Sequence, residues 1–432
     1  MNSLYQRWDR FWFEPQSPAT LGFCRLLVLL GAFGLYANLD VRAWGFLPSS
    51  FWQPIPLLQH LHLHPYTPGL MWSAGMLWKL SMLLAAIGLF TRLSCAVSFV
   101  LGIYLLGLSN SVGKIWHPDA IVLWSFLAFA LARSGDAWSL DALLRDALGK
   151  PHPLGFKPAP VLRPRTPEPH AEYRWPVRLM QLILVMIFCL SGISKLRQSG
   201  LAWALSDNFR YTLVAQNFLA QPPLHLGMYL VSHPQLCRAM SLYALFLELS
   251  APLALLSYRH ARVLIPALLA LQIGNEVLLG VTFHTFLLCY AFWVPWVTVG
   301  NWIRQQTSSL EKTVIFFDGS CGLCTRTMHV IRRLDLLGRV RIMDVTNDWP
   351  TVLASYPQLD QAFCLQTMHV ISRQNQISTG FLAYRSLCKV IPLGWLMLPF
   401  LYIVGVPTVG EIVYRKVAEN RFNHGCALPI TE

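Results

Sequence analysis

Charge is scarce in this chain, and negative charge is scarcest. Only 13% of its 432 residues are charged, with 21 acidic against 34 basic side chains. A soluble globular protein carries about 25% charged residues, so a wholly soluble fold is excluded. A paired-cysteine framework is also missing. Ten cysteines are scattered, five of them in or near apolar stretches, and only Cys321 and Cys324 stand close together, which argues against a secreted disulfide scaffold. The first apolar run begins near Thr20 and lacks the small-residue cleavage site of a signal peptide. No internal repeat is visible. Basic residues lie in loops that flank apolar runs rather than in an aromatic-interleaved patch. The net charge of +13 therefore reads as positive-inside bias and not as a nucleic-acid surface.

What is present is apolar: 54% of the residues are hydrophobic and the mean hydropathy is +0.45. Runs long enough for a bilayer recur at 20–39, 69–91, 93–110, 118–134, 177–196, 236–257, 261–280 and 282–301. The expected architecture is mixed: a polytopic α-helical membrane bundle of about eight spans over residues 1–305, then an α/β domain over 312–426. Tyr5 to Phe13 alternates aromatic and basic residues, as an interfacial helix would. A Pro- and Arg-rich loop at 135–176 cannot bury a core and reads as flexible, and 301–312 reads as a polar linker. Arg and Lys concentrate at the N-terminus and in even-numbered loops, including Arg145, Lys150, Arg163, Arg165 and Arg174. Both termini are therefore expected in the cytoplasm, in a bacterial inner-membrane protein.

The densest chemistry lies in Asp318-Gly319-Ser320-Cys321-Gly322-Leu323-Cys324, after the apolar run Val314-Ile315-Phe316-Phe317 and before a helical pattern at 322–337. A C-x-x-C where a strand feeds a helix is the layout of a thioredoxin-like redox site. A thiolate at a helix start is stabilised by unpaired N–H groups and the helix dipole. Cys321 is thus the expected exposed attacker and Cys324 the resolving thiol. Zinc competes through Cys364, Cys388, His424 and Cys426, but no second C-x-x-C completes a four-ligand set, and an inert pair is the other alternative. Val340 to Val345 alternates like a strand, 368–372 and 376–379 read as a hairpin, and helical patterns cover 380–391 and 407–420. Gly394 to Val406 is apolar but too short to span, and reads as a buried or membrane-apposed helix.

Residues 313–424 resemble the DCC family of thiol–disulfide oxidoreductases through the Asp318-Gly319-x-Cys321-x-x-Cys324 start, the Met368-His369-Val370 strand and the helix from Tyr414 to Arg421. The resemblance implies a thioredoxin-like fold and places Asp318, Cys321 and Cys324 in the family's motif. One departure is visible: no Pro precedes the Met368 strand, where thioredoxins carry a cis-Pro facing the cysteines. Pro407 is placed instead to start a helix.

The apolar part resembles the HTTM domain shared with vitamin K-dependent γ-carboxylase. The carriers are Phe13-Glu14-Pro15 with Arg25, Thr91-Arg92-Leu93-Ser94-Cys95, the His117 region, Trp138-Ser139-Leu140-Asp141 and Ser191-Gly192-Ile193-Ser194-Lys195-Leu196. By position Lys195 matches the carboxylase base toward reduced vitamin K, and His117 falls near a carboxylase histidine. A snorkelling Lys195 is the alternative. Glu248 and Glu276 lie within apolar spans and suggest either a polar pocket or neutral, hydrogen-bonded groups. His60, His62 and His64 have strand spacing for a metal but sit in a Trp- and Leu-rich loop that suits interfacial histidines.

The combined expectation is a membrane-bound thiol–disulfide oxidoreductase. Its partners are the lipid bilayer and a protein or small-molecule thiol, with a quinone the candidate ligand near Lys195, His117 and Glu276. No metal and no nucleic acid is expected. A carboxylase- or epoxidase-like enzyme with an accessory thiol domain, and a redox-sensing scaffold or transporter, stay open.

Overall fold

The computed structural model describes residues 2–112, 118–147, 169–220, 225–308 and 312–420. They form two compact units. The first comprises residues up to Leu140 and from the 169 region to Pro295; the second comprises the segment from Asp141 and everything from Trp296 onward. The boundary therefore falls about ten residues before the expected one.

The first unit is helical. An exposed helix α1 (Asn2–Phe13) precedes α2 (Pro18–Tyr36), α3 (Pro68–Ile87), α4 (Thr91–Ser109), α5 (Asp119–Leu131), α6 (Arg174–Ser199), α7 (Pro234–Ser250) and α8 (Tyr258–Leu279). Six of these helices, α2, α3, α4, α6, α7 and α8, are long and apolar enough to cross a membrane. The fourth expected span is only the 13-residue α5, about 20 Å at helical rise against a hydrocarbon core of about 30 Å. The eighth is broken at Val294-Pro295, because proline cannot continue a helix and disfavours α geometry before it.

Local chemistry starts and stops these helices. Pro18, Pro68 and Pro234 occupy first turns, where a missing N–H costs nothing. Lys79 Nζ donates to the carbonyls of Ala37 (2.7 Å) and Leu39 (3.1 Å) at the end of α2. Arg25 on α2 is fully buried, and its guanidinium donates to the backbone carbonyls of Ser134, Ala86 and Trp138. One fork of donors thus satisfies three carbonyls, one at the end of α3 and two in the 134–138 loop.

The second unit is built on a four-stranded sheet of order β2-β1-β3-β4, with β1 (Thr313–Phe317), β2 (Val340–Asp344), β3 (His369–Ile371) and β4 (Ile377–Thr379). Strand β1 runs parallel to β2 and antiparallel to β3, and β3 pairs antiparallel with β4. All five β1 residues are buried, because both of its faces are covered. Ile315 and Phe317 face one core with Met328, Met368 and Val370; Val314 and Phe316 face a second with Met343, Val352 and Cys364. Its longer helices are α9 (Trp296–Ser308), α10 (Gly322–Leu334), α11 (Gly380–Val390) and α12 (Val406–Asn420). The expected polar linker at 301–312 is in fact helical through Ser308. Leu140–Ala147, within the loop read as flexible, is also helical, and Asp146 there pairs with Arg333 of α10.

Candidate redox site at the start of α10

The site is assembled by two carboxylates at strand ends. Asp318 follows β1 and is 4% exposed. Its Oδ1 accepts from Ser320 N (2.9 Å), Ser320 Oγ (2.6 Å) and Thr346 Oγ1 (2.9 Å). Asp344 ends β2; its Oδ1 accepts from the N–H groups of Gly319 (3.2 Å), Thr346 (2.9 Å) and Asn347 (3.3 Å), and its Oδ2 from Asn347 Nδ2 (2.7 Å). A Cβ on Gly319 would overlap the Asp344 carboxylate, so only glycine fits where the loop crosses β2. The parallel β1–α10–β2 crossover brings these two strand ends side by side.

This clamp decides where the sulfurs go. Cys321 is the N-cap of α10, and its N–H donates to Asp318 O (3.3 Å). The side chain is fully buried, and the residue is held in a disulfide. The expected exposed attacker is therefore the enclosed sulfur. The reason is the tight Asp318-Gly319-Ser320 turn, which folds the N-cap inward. Cys324, one turn later, is half-buried and lines a cavity of about 110 Å³ with Asp318, Leu323, Thr327, Met368, Tyr384 and Tyr414.

The opposite wall replaces what a cis-Pro loop would supply. Met368 N–H donates to Tyr414 Oη (2.9 Å), so the backbone group just ahead of β3 is already occupied by α12. Burial pushes the Tyr384 hydroxyl well above its ordinary pKa and keeps it a neutral donor, with nearby Tyr414 adding to the effect. Burial likewise raises Cys364 to about 11, with the Asp360 charge adding to it, so this thiol is inert at neutral pH. His369 is held below its usual pKa by burial, partly opposed by its Nδ1 contact to Thr367 O at 2.9 Å.

The remaining expected site residues lie elsewhere. Lys195 on α6 pairs with Glu248 on α7 and sits 4.5 Å over the Trp203 ring. Gly192 permits this approach, since an added Cβ would lie 3.1 Å from Glu248 Cβ. Glu276 bonds His284 Nε2 at 3.2 Å, and both side chains are well exposed, so it is not a buried carboxylate. No hydrogen bond or ion pair links this pair to Lys195 among the described residues. His117, His424 and Cys426 lie outside the described residues. His64 rests against Tyr66 and does not converge with His60 and His62.

Sequence reasoning missed Asp344, Tyr384 and Tyr414. Asp344 carries a local signal, the Asp-x-Thr-Asn run of an Asx turn after a strand. The tyrosines carry none, being brought in from distant helices. Neither a search of curated proteins nor one of solved structures returned a match to this chain. The family comparison did: residues 315–427 match the model of the DCC1-like thiol-disulfide oxidoreductase family.

Proposed function

We propose that the chain is a membrane-anchored thiol–disulfide oxidoreductase in which Cys324 is the sulfur that meets the substrate. The carrying observation is that Cys324 lines the cavity wall while Cys321 is enclosed. In the direction of substrate reduction, with Cys321 also reduced, the Cys324 thiolate attacks one sulfur of a substrate disulfide and the other leaves as a thiol. Cys321 then attacks Cys324 in the mixed disulfide, releasing the second substrate thiol and closing Cys321–Cys324. Two protein thiols are oxidised and one substrate disulfide is reduced; an external thiol restores the pair. The βαβ unit followed by an antiparallel hairpin supports the thioredoxin-like reading. A Cys321→Ser protein should accumulate a mixed disulfide on Cys324, found by mass spectrometry after acid quenching. Accumulation on Cys321 in Cys324→Ser, with none on Cys324 in Cys321→Ser, would reverse the roles.

Eight crossings remain the reading that fits the charges. With α5 left out, the basic segment from Arg133 to Arg174 would fall on the side opposite Arg7 and Arg10. Helix α5 carries buried Ile121, Val122, Phe126 and Phe129, so a short crossing inside the bundle suits it. Counting the broken segment at 284–307 as well supports a cytoplasmic thiol domain. Protection of the C-terminal end from protease in right-side-out vesicles tests this; digestion there would remove one crossing.

A second reading adds a lipid-soluble redox partner, of quinone type, in an HTTM-like helical region. One observation favours it: Glu248 Oε2 is buried without a partner beside Lys195, an acceptor that a ligand hydroxyl would satisfy. Extraction of the purified protein and detection of a bound quinone, lost in Glu248→Leu, tests it; a quinone-free protein with full thiol activity would sink it.

A further inference from the structure

The thiol domain has a complete core on both faces of its sheet, yet the turn that joins α11 to α12 contributes nothing to it. Residues 392–401 form two short helical turns with no buried side chain. Leu396 is 74% exposed, Phe400 60% and Val404 99%. An apolar tip of this kind marks an interaction surface. Its border is basic and aromatic: Arg385 lies 4.7 Å and Lys389 5.8 Å from the ring centroid of Tyr402. Cations stacked on an aromatic ring at the edge of an apolar tip match the headgroup level of a bilayer carrying anionic lipid. The domain that carries this tip follows the apolar helical unit closely in sequence. Only residues 309–312 separate α9 from β1. Helix α9 is also held to the domain, by Arg304 Nε to Leu336 O (2.9 Å) and Thr307 Oγ1 to Leu337 O (2.7 Å).

We propose that the 392–404 tip inserts into the surface of the bilayer and docks the thiol domain there, with Leu396, Phe400 and Val404 among the acyl chains and Arg385 and Lys389 at anionic headgroups. The inference rests on the membrane-spanning reading of the helical unit. It goes beyond exchange chemistry, because a docked domain meets lipid-proximal substrates in preference to soluble ones.

The test uses the full chain in vesicles of phosphatidylcholine and phosphatidylglycerol. A fluorescent non-natural residue replaces Val404, exposed Gln374 in the β3–β4 turn, or exposed Leu77 on α3. Quenching by a nitroxide lipid is compared with quenching by aqueous iodide. Lipid quenching at 404 several-fold above that at 374, with protection from iodide, is the expected result. It should fall in the Arg385→Gln/Lys389→Gln protein. Iodide quenching at 404 equal to that at 374 overturns the proposal, as does protection from both quenchers, which would mean a protein surface covers the tip. Position 77 separates the premises: strong lipid quenching there without any at 404 refutes docking alone, whereas its absence at 77 refutes the membrane-spanning reading itself.

Discussion

Replacing Asp344 by Asn tests whether the carboxylate at the end of β2 positions the cysteine loop. The side chain is 4% exposed and receives three backbone N–H groups at Oδ1 and the Asn347 amide at Oδ2. An asparagine retains one carbonyl oxygen for the N–H groups, and rotation of the Asn347 amide removes the donor–donor clash. What disappears is the negative charge. A hydrogen bond to a charged group contributes about 1 kcal/mol more than a neutral one, so three bonds, not fully additive, lose about 2–3 kcal/mol. The loss is local, because the bonds tie the 319–321 loop to the 346–347 turn without entering either core. Hydrogen exchange on the full chain should therefore accelerate roughly 30- to 150-fold in peptides covering 318–325 and 344–349, at 1.4 kcal/mol per tenfold. Peptides from β3 and β4 should keep their protection. Unchanged exchange at the loop would refute the clamp, and equal acceleration throughout the domain would refute its locality.

Three further outcomes follow from the same geometry. Lys195→Met should cost about 3–5 kcal/mol in resistance to thermal denaturation in detergent, because it strands the buried Glu248 carboxylate, while Lys195→Arg should retain most of the stability; equal loss in both would mean the pair is not what holds α6 to α7. His369 is depressed by burial, so the unfolded chain binds its proton first as pH falls below about 6.5, and that part of the stability drains away from there downward. His369→Gln should flatten the domain's thermal midpoint between about pH 7 and pH 5, and an unchanged slope would show that another group titrates. At limiting alkylating reagent and neutral pH, without reductant, Cys324 should be modified well before Cys364, which lines the same cavity but is buried and whose thiol is pushed up to about 11; comparable labelling of the two would contradict this difference in burial.

The sequence by itself determined most of the elements and their order. Long apolar runs read as spanning helices because only a self-satisfied backbone survives in hydrocarbon. Val314 to Phe317, then Gly319 and the C-x-x-C, read as strand, turn and helix because each residue states its local preference: β-branched and aromatic for the strand, Gly for the crossing, Cys at a helix start. The hairpin at 368–379 and the helix carrying Pro407 are legible on the same grounds. Pro295 marks a break, but nothing local says whether a broken apolar segment crosses or turns back. Tertiary structure decided what the site became. A cysteine's place on a helix end does not tell which way its side chain faces; the Asp318 and Asp344 clamp, closed by a parallel crossover, turned Cys321 inward and left Cys324 on the cavity. Tyr384 and Tyr414 line that cavity from helices 60 and more residues away in sequence, and Lys195 meets Glu248 across two helices. Such contacts are invisible to any window of sequence, because the packing that joins distant segments is a property of the whole fold and not of the residues that meet.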